Sequence, residues 1–322
     1  MKRTRVNSSQ SFASFVVLAV LAAGALTACS STPTSETSDA ADPGASAGLG
    51  LLKDGEVSVG FMNGLMPYIG MENGKVTGVD GDLFQLAADD LGLNVNAAGM
   101  EFSAMIAGVQ AGRYDIGIGG VAWTEERSKA GSFTDPVYYS PALLLTAPGI
   151  EIKTIADMDG LTIGAATGSM NDDAVRATPG AIAKSYPAWA NAITDLQAGR
   201  LDAVNIDPLT AVYMRDTNPD LSGFGTYVVQ APTDEEVAAN PGLQGFRPYQ
   251  VVWYCSPKAE ALCDSLSDVI RGWYDDGTSV TVLEDWGVDA QSFLTSSDEM
   301  TSIRVGVDRD ENWTAPTLKA SE

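Results

Sequence analysis

The sequence predicts an α/β fold of two lobes, each with a mainly parallel sheet that helices cover on both faces. Short apolar segments with the composition of strands alternate along the chain with segments of helical periodicity, which is typical of parallel sheets. One motif also occurs twice, as QAGRYDIGIGG at 110–120 and as QAGRLDAVNID at 197–207. At 322 residues, the chain is long enough for two domains.

The first strands and helices of this alternation lie in the first third of the chain. EVSVGF at 56–61 is apolar without polar alternation, as expected for a parallel strand that is covered on both faces. The pattern then predicts a helix over 80–91, a strand over 93–97, a helix over 102–111 and a strand over 114–118. This βαβαβ order favours a parallel sheet.

The repeated motif has the same predicted structure in both copies. A strand at 161–166 and a helix at 188–198 precede the strand of the second copy, at 201–206. In each copy, a glycine suited to the left-handed helix cap joins the helix to the strand. Either the similarity arose by chance, or the chain contains two lobes of similar construction. In the second interpretation, Gly120 and Asp207 are equivalent positions just beyond a strand, where open α/β sheets bind ligands.

The composition excludes several classes of function. The chain has no histidine, 19 basic and 42 acidic residues, and a formal net charge of −23. The absence of histidine excludes Ser-His-Asp hydrolases, Cys-His proteases and HExxH metalloproteases. We expect no catalytic residues, no metal and no cofactor. The acidic charge opposes binding to nucleic acid, whose phosphates need a basic surface, and docking on anionic lipid by charge alone.

The N-terminus resembles a bacterial lipoprotein signal. The first five residues, MKRTR, are basic, the apolar stretch at 15–26 is too short to span a bilayer, and LTAC at 26–29 resembles the lipobox. The alternative is a buried apolar helix with an incidental cysteine. We predict a signal peptide over 1–28, lipidation of Cys29 and a flexible, lipid-anchored linker over 29–53. The signal holds three basic residues and no acid, so its removal changes the formal net charge from −23 to −26.

Two further cysteines lie near the end of the chain. Cys255 and Cys263 have seven residues between them. Disulfides form and persist outside the cytoplasm, so an exported pair at this spacing favours a small-loop disulfide. Two free buried thiols are the alternative.

A glycine-rich loop and an arginine follow the strand of the first motif copy. GIGGVA has the G-x-G-x-x-A spacing of a dinucleotide loop, but two acidic residues rather than a long apolar helix follow it. We therefore interpret it as a loop whose Gly119 and Gly120 let a small ligand approach the backbone. Thr124 is suited to cap a short helix that carries Arg127, whose guanidinium suits a carboxylate. The alternative is a surface ion pair between Arg127 and a nearby acid: Glu125, Glu126 or Asp135.

The second half of the chain offers hydrogen-bond donors and one carboxylate. Ser169 and Met170 stand between a strand and a predicted helix, whose N-terminus favours an anion. The Ser169 hydroxyl either adds a donor or merely caps the helix. Asp207 either accepts a hydrogen bond from an ammonium group or caps the helix that begins at Pro208. Together with Arg127, these groups match a zwitterion, since buried charges are tolerated only when paired.

Four stretches resemble the polar amino-acid family of bacterial extracellular solute-binding proteins (family 3), the receptors of ABC importers. They lie at 57–93, 107–140, 158–172 and 196–213, and the segment from DIGIGGVAWTEER to FTDPVYY is the most specific. The resemblance implies the type II periplasmic-binding-protein fold, known as the Venus flytrap. In that fold two Rossmann-like lobes, joined by two hinge strands, close over the ligand.

The resemblance also implies roles for residues of the cleft. It implies that Arg127 binds the ligand carboxylate and that Ser169 and the Met170 amide donate from the other lobe. It further implies that Gly120 contributes backbone contacts and that Asp207 binds the ammonium group.

Phe102 matches the residue that packs on the ligand side chain, and three departures from the family pattern suggest the ligand. Ala122 stands where family members commonly have Ser or Thr, and Leu65 stands where they often have an aromatic residue. Met62 lies near the position at which the binders of basic amino acids have an acidic residue. With Trp123 beside the loop, the pocket looks more apolar than is usual. We therefore expect an uncharged or partly apolar amino acid, or a relative with a modified amine.

The resemblance implies the remaining organisation. It implies that lobe 1 comprises 54–144 and 246–293 and that lobe 2 comprises 145–245. The C-terminal tail, 294–322, is polar, and we therefore expect it to be peripheral. The expected partners are an amino-acid-like ligand, an ABC permease and the membrane that holds the lipid anchor, for an extracytoplasmic, monomeric protein. The alternatives are a dehydratase-like extracytoplasmic enzyme or a ligand sensor on the same fold.

Overall fold

The computed structural model describes residues 48–295 and 303–318. The predicted signal peptide, Cys29 and the linker up to residue 47 lie outside the described residues. Within these ranges the chain forms two five-stranded sheets, one in each of two lobes. None of the helices in the two ranges combines the length and the apolar character that crossing a membrane requires.

Strands and helices alternate along the described chain. The strands are β1 (Glu56–Met62), β2 (Gly70–Glu72), β3 (Lys75–Thr77), β4 (Asn94–Met100), β5 (Ile116–Ile118), β6 (Ser132–Phe133), β7 (Tyr138–Ser140), β8 (Leu143–Thr146), β9 (Thr162–Ala166), β10 (Ile182–Tyr186), β11 (Ala203–Ile206), β12 (Gly225–Val228), β13 (Tyr249–Val251) and β14 (Tyr254–Cys255). The α-helices are α1 (Val79–Asp90), α2 (Phe102–Gln110), α3 (Glu125–Ser128), α4 (Met170–Ala177), α5 (Trp189–Gln197), α6 (Pro208–Thr217), α7 (Asp234–Ala239), α8 (Glu260–Asp276), α9 (Thr278–Asp285) and α10 (Ala290–Leu294). Short 3-10 helices occupy Ile155–Met158, Pro219–Leu221 and Pro241–Phe246.

The predicted strands and helices are confirmed, each within three residues of its predicted ends. The agreement follows from the apolar pattern. Val59, Gly60, Phe61 and Met62 of β1 are consecutive and all buried, as expected for a strand that is covered on both faces.

The two sheets have the same topology. The first has the order β4-β1-β5-β14-β6, and the second has the order β10-β9-β11-β8-β12. In each sheet the first three strands are parallel, and the fourth lies antiparallel to both of its neighbours. Helices α1, α2 and α8 pack on the first sheet, and α4, α5 and α6 pack on the second.

The repeated motif forms the same hydrogen bonds in both lobes. The N–H of Asp115 donates to the carbonyl of Ser58, and the Asp115 carboxylate accepts from the Ser58 N–H, both at 2.8 Å. Asp202 and Thr162 make the same pair of bonds, at 2.8 and 2.7 Å. Each aspartate therefore ties the strand of its motif to the parallel strand beside it, β1 in the first sheet and β9 in the second.

Two strands connect the lobes. β7 leads from the first lobe into β8, and β13 leads from the second lobe back to β14. The two strands pair with each other antiparallel, with Tyr249 opposite Ser140 and Val251 opposite Tyr138. They are the hinge strands of the type II periplasmic-binding-protein fold.

A disulfide joins Cys255 in β14 to Cys263 in α8, with a Cα–Cα distance of 6.0 Å. Both residues are buried. The bond therefore attaches the start of α8 to the strand that leads the chain back into the first lobe.

The expectation of a peripheral C-terminal tail is wrong for residues 303–318. Arg304 is fully buried, Trp313 donates to the Asp135 carboxylate at 3.0 Å, and Tyr139 of β7 donates to the carbonyl of Pro316 at 3.2 Å. The polar composition suggested a solvated tail. It instead reflects Arg304 and Arg309, whose guanidinium groups bond to the first lobe at residues 133–135.

Candidate functional site

A small cavity lies between the lobes, at the carboxyl ends of β5 and β11. Its volume is about 20 Å³, roughly the space of one water molecule. Any organic ligand exceeds this volume, so the lobes must separate to admit one. Both lobes and one hinge strand contribute to the lining: Met62, Leu65, Phe102, Gly119, Gly120, Ala122, Arg127, Ser169, Met170, Asn171, Trp189, Asp207 and Tyr249.

Arg127 reaches across this cavity from the short helix α3. Thr124 caps the helix, because its hydroxyl accepts a hydrogen bond from the Arg127 N–H at 3.2 Å. The guanidinium Nη1 donates to the carbonyl of Ala122 at 2.9 Å, and Nη2 donates to the carbonyl of Gly168 at 3.2 Å. Gly168 belongs to the second lobe, so Arg127 bridges the two lobes.

The environment of Arg127 is that of a buried cation. Its side chain lies 5.2 Å from the ring centre of Phe102, within cation–π range. Burial lowers the pKa of Arg127, and the nearby Tyr254 and Asp173 oppose that effect. The alternative of a surface ion pair is wrong, because Arg127 is only 9% exposed. Its neighbour Glu125 pairs instead with Lys129, at 2.9 Å.

The glycine loop after β5 requires glycine at both positions. Gly119 and Gly120 have φ angles of 103° and 65°, in the left-handed region. A Cβ on Gly119 would lie 2.5 Å from the Ile69 side chain. A Cβ on Gly120 would lie 3.7 Å from the Asp207 carboxylate and 3.5 Å from Leu65, within the cavity. The equivalent positions of the two motif copies, Gly120 and Asp207, therefore face each other.

A buried carboxylate supports this loop from behind. Asp80, at the start of α1, accepts a hydrogen bond from the N–H of Gly120 at 2.6 Å. Burial raises the pKa of Asp80 to about 6, although Gly120, Tyr138 and Trp253 all act in the opposite direction. Asp80 thus holds the backbone of the loop without lining the cavity.

Ser169 caps the helix α4 in the second lobe. Its hydroxyl accepts from the N–H of Asp172 at 3.1 Å and donates to the carbonyl of Ala166 at 2.7 Å. The hydroxyl proton therefore already has an acceptor within the protein. Of the two alternatives for Ser169, the side chain caps the helix. Met170 is the first residue of α4, where an N–H has no acceptor within the helix.

Asp207 carries the negative charge of the cavity. Tyr249 of β13 donates to its Oδ1 at 2.5 Å. Its side chain makes no capping hydrogen bond to α6, so the capping alternative is wrong. Burial raises the pKa of Asp207 to about 6, although the hydrogen bond from Tyr249 lowers it.

The cavity brings together nine of the ten predicted ligand-binding residues: Met62, Leu65, Phe102, Gly120, Ala122, Arg127, Ser169, Met170 and Asp207. Trp123 does not line it. Ala122 pairs with Val251 and Trp123 with Gln250 in an extended segment, where successive side chains point to opposite faces. Because Ala122 faces the cavity, Trp123 faces away, and its ring lies 5.9 Å from the Arg304 guanidinium.

Gly119 also lines the cavity, as part of the predicted glycine loop, whereas three further lining residues lie outside the prediction: Asn171, Trp189 and Tyr249. Asn171 follows Ser169 by two residues, and Trp189 opens the helix that the pattern predicts at 188–198. Tyr249 lies on a hinge strand, whose path depends on how the two lobes pair. Local sequence gives no signal for that arrangement.

The cavity contains one cation and one anion. Arg127 is suited to a carboxylate, and Asp207 retains an oxygen, Oδ2, for a cationic group. Among the described residues, no group of three or more His, Cys, Asp or Glu is arranged to hold a metal ion.

Comparison with known proteins gives consistent similarities. Residues 57–289 match the family model of the bacterial extracellular solute-binding proteins, family 3. The ABC transporter arginine-binding protein 1 of Escherichia coli (strain K12) is 28% identical over 215 residues, 66% of this chain and 83% of that protein. The L-cystine-binding protein TcyJ of the same strain is 26% identical over 219 residues, 67% of this chain and 76% of that protein.

Solved structures agree with the fold. An ancestral arginine-binding protein bound to glutamine is 26% identical, with a TM-score of 0.63, and the match covers 73% of this chain and 98% of that chain. An ancestral arginine-binding protein bound to arginine gives a TM-score of 0.62 at 26% identity, over 72% of this chain and 98% of that chain.

Proposed function

The chain belongs to the bacterial extracellular solute-binding proteins, family 3, and we propose that its ligand is an uncharged or partly apolar amino acid, or a relative with a modified amine. It acts as the extracytoplasmic substrate-binding component of an amino-acid ABC importer. The ligand enters between the separated lobes and is held when they close. Its carboxylate binds to Arg127 and its ammonium group to Asp207.

The charges of the cavity carry this proposal. Among the described residues that line it, Arg127 and Asp207 are the charged ones. They match the two charges of a zwitterion, and each is buried, so a ligand without both charges would leave one of them poorly paired.

The apolar part of the lining supports a neutral ligand. Met62, Leu65, Phe102 and Trp189 contribute this apolar surface. The second cation of arginine or lysine would have no carboxylate to pair with, and burying an unpaired charge is very costly. The relatives described above are named for arginine and cystine, and the first of these would require such a carboxylate.

A thermal-shift screen of the purified protein against the twenty common L-amino acids and their N-methylated relatives tests the proposal. A ligand at one hundred times its dissociation constant stabilises the folded state by about 2.7 kcal/mol. We expect the largest shift from a neutral amino acid and no shift from arginine or lysine. Arginine as the tightest ligand would contradict the proposed class, and no shift from any zwitterion would contradict the function.

We also propose that Cys29 is lipidated and anchors the protein to the outer face of the cell membrane, beside its permease. The apolar stretch at 15–26 and the LTAC motif that follows it support this proposal. Metabolic labelling with an alkyne-tagged fatty acid should label the wild type and not the Cys29→Ser variant. Equal labelling of both would contradict it.

We propose the predicted lobe limits to within a few residues: 54–144 and 246–293 for lobe 1, and 145–245 for lobe 2. β8, at Leu143–Thr146, belongs to the second sheet, which supports a boundary between the lobes near residues 144 and 145. We further propose a monomer without enzymatic activity. Light scattering after size-exclusion chromatography tests the monomer, and a dimer mass would contradict it.

A further inference from the structure

The described C-terminal segment, residues 303–318, lies beyond the part of the chain that matches the family, which ends at residue 289. It nevertheless sends a fully buried arginine into the first lobe. The Arg304 guanidinium lies within 6.0 Å of the rings of Trp123, Phe133 and Trp313. A buried guanidinium surrounded by aromatic rings is costly unless each of its donors is used.

The donors of Arg304 are used in two directions. Nε and Nη2 pair with the two oxygens of Asp308, at 3.1 and 2.7 Å, and neutralise the charge within the segment itself. Nη1 donates to the carbonyl of Thr134 at 2.8 Å and to Oε1 of Gln250 at 3.4 Å. The contacts that leave the segment therefore reach two other parts of the first lobe.

Those contacts lie at both ends of the loop 123–134, which contains the short elements α3 and β6 and carries Arg127. Trp123 begins the loop, and its ring packs on Arg304. Thr134 ends the loop, and its carbonyl accepts from Arg304. Gln250 connects the start of this loop to the hinge strand β13, because the carbonyl of Gln250 accepts from the Trp123 N–H at 3.1 Å.

The loop needs such support because Arg127 depends on it directly. The Arg127 guanidinium donates to the carbonyl of Ala122, immediately before the loop. A shift at Trp123 would move that carbonyl, and with it the direction in which Arg127 points. Binding sites lose affinity when a charged group is displaced by about 1 Å.

We propose that Arg304 is a positioning residue of the ligand site: from the C-terminal segment, it clamps both ends of the loop 123–134 and so holds Arg127 in its binding direction. Arg304 does not touch the ligand. The inference concerns the same site as the proposed function and rests on it for its effect on affinity. Its effect on the loop is independent of any ligand.

Arg304→Met tests the proposal, because methionine preserves the apolar stem and removes the donors and the charge. Hydrogen exchange followed by mass spectrometry, without ligand, should show amide exchange at least tenfold faster in 123–134 than in the wild type. Exchange in β9 of the second lobe should not change. Calorimetric titration with the tightest amino acid of the screen should show at least a tenfold weaker affinity.

Two further variants complete the experiment. Arg304→Lys keeps the charge without the planar fork, and we expect an intermediate result that remains measurable if the methionine variant does not fold. Arg215→Met is the matched control. Arg215 bonds to Asp216 and to Thr226 in the second lobe, outside the cavity lining, so loop exchange and affinity should stay at wild-type values.

The possible outcomes separate this inference from the proposed function. Unchanged exchange in 123–134 for Arg304→Met, or an equal increase throughout the first lobe, overturns the positioning role. Faster loop exchange with unchanged affinity overturns it as well. If no amino acid binds to the wild type, the proposed function fails, and the exchange data still decide whether Arg304 holds the loop.

Discussion

Tyr249 donates a hydrogen bond to Oδ1 of Asp207 over 2.5 Å, and this bond connects a hinge strand to the negative charge of the cavity. Both side chains are buried. The bond occupies one carboxylate oxygen and leaves Oδ2 for a ligand. Any change of the hinge at Tyr249 therefore reaches the group that we propose binds the ammonium.

Asp207→Asn should make the ligand-free protein more stable at neutral pH. Burial raises the pKa of Asp207 from 3.8 to about 6, so the charged carboxylate destabilises the folded state at every pH above that range. We expect the free energy of unfolding at pH 7 to rise by up to about 3 kcal/mol. The gain should decline as the pH falls from 6 and be absent below 3.8, where both states hold the proton. Urea unfolding at pH 7 and pH 3.5 measures the difference.

Amino acids should no longer stabilise the Asp207→Asn variant, because the asparagine side chain is neutral and cannot pair with the ammonium group of the ligand. Tyr249→Phe serves as the control: it keeps the carboxylate and removes only the hydrogen-bond donor. An Asp207→Asn protein with wild-type stability at pH 7 and wild-type affinity would show that Asp207 carries no functional charge.

Arg127→Lys should weaken ligand binding about tenfold to a hundredfold. Lysine keeps the positive charge but cannot hold a carboxylate with two parallel hydrogen bonds, and a hydrogen bond to a charged group contributes about 1.5–3 kcal/mol. Calorimetric titration with the tightest amino acid measures the change. Arg215→Lys, outside the cavity lining, should bind as the wild type does. Equal affinities in all three proteins would place the carboxylate site elsewhere.

Gly120→Ala and Gly112→Ala form a matched pair. Both glycines have a φ of 65°, so each alanine should cost about 1–2 kcal/mol of folding stability. The Cβ at Gly112 would meet no atom within 4 Å, whereas the Cβ at Gly120 would enter the cavity between Leu65 and Asp207. We therefore expect similar losses of stability, measured by urea unfolding, and a loss of ligand binding in Gly120→Ala alone. Retained binding in Gly120→Ala would move the site away from this loop.

Loss of the disulfide between Cys255 and Cys263 should destabilise the protein by about 2.5 kcal/mol, the entropy of closing so short a loop in the unfolded chain. The double variant Cys255→Ser, Cys263→Ser should show this loss in urea. The reducing agent dithiothreitol should lower the urea midpoint of the wild type and leave that of the double variant unchanged. A midpoint that falls in both proteins would point to another effect of the reductant.

The strands, the helices and most of the cavity were predictable because they follow from local pattern. The apolar composition of 56–61 located β1, and the glycine of each QAG sequence, Gly112 or Gly199, marked where a helix ends. The sign of the cavity charges followed from Arg127, nine residues beyond β5, and Asp207, directly after β11. These features depend on residues that are near one another in the chain.

The rest depends on contacts between distant parts of the chain. Trp123 stands one residue from Ala122, and only the pairing with β13 decides which of the two faces the cavity. Arg304 lies in a polar tail, and its burial requires the carbonyl of Thr134, 170 residues away. No local pattern marks either arrangement. For that reason Trp123 was predicted to line the pocket and the tail was predicted to be peripheral, and both predictions are wrong for the residues that the structure describes.

The two sheets have the same topology, and the equivalent positions of the two motif copies face each other at the cavity. If the groups lining its two sides were also equivalent, a ligand would be held equally well in two opposite orientations. Gly120 and Asp207 occupy equivalent positions, yet one has no side chain and the other carries a charge. This single difference, together with Arg127 on one side, gives the cavity a direction, so that a bound zwitterion has one orientation and presents the same end to the same lobe each time.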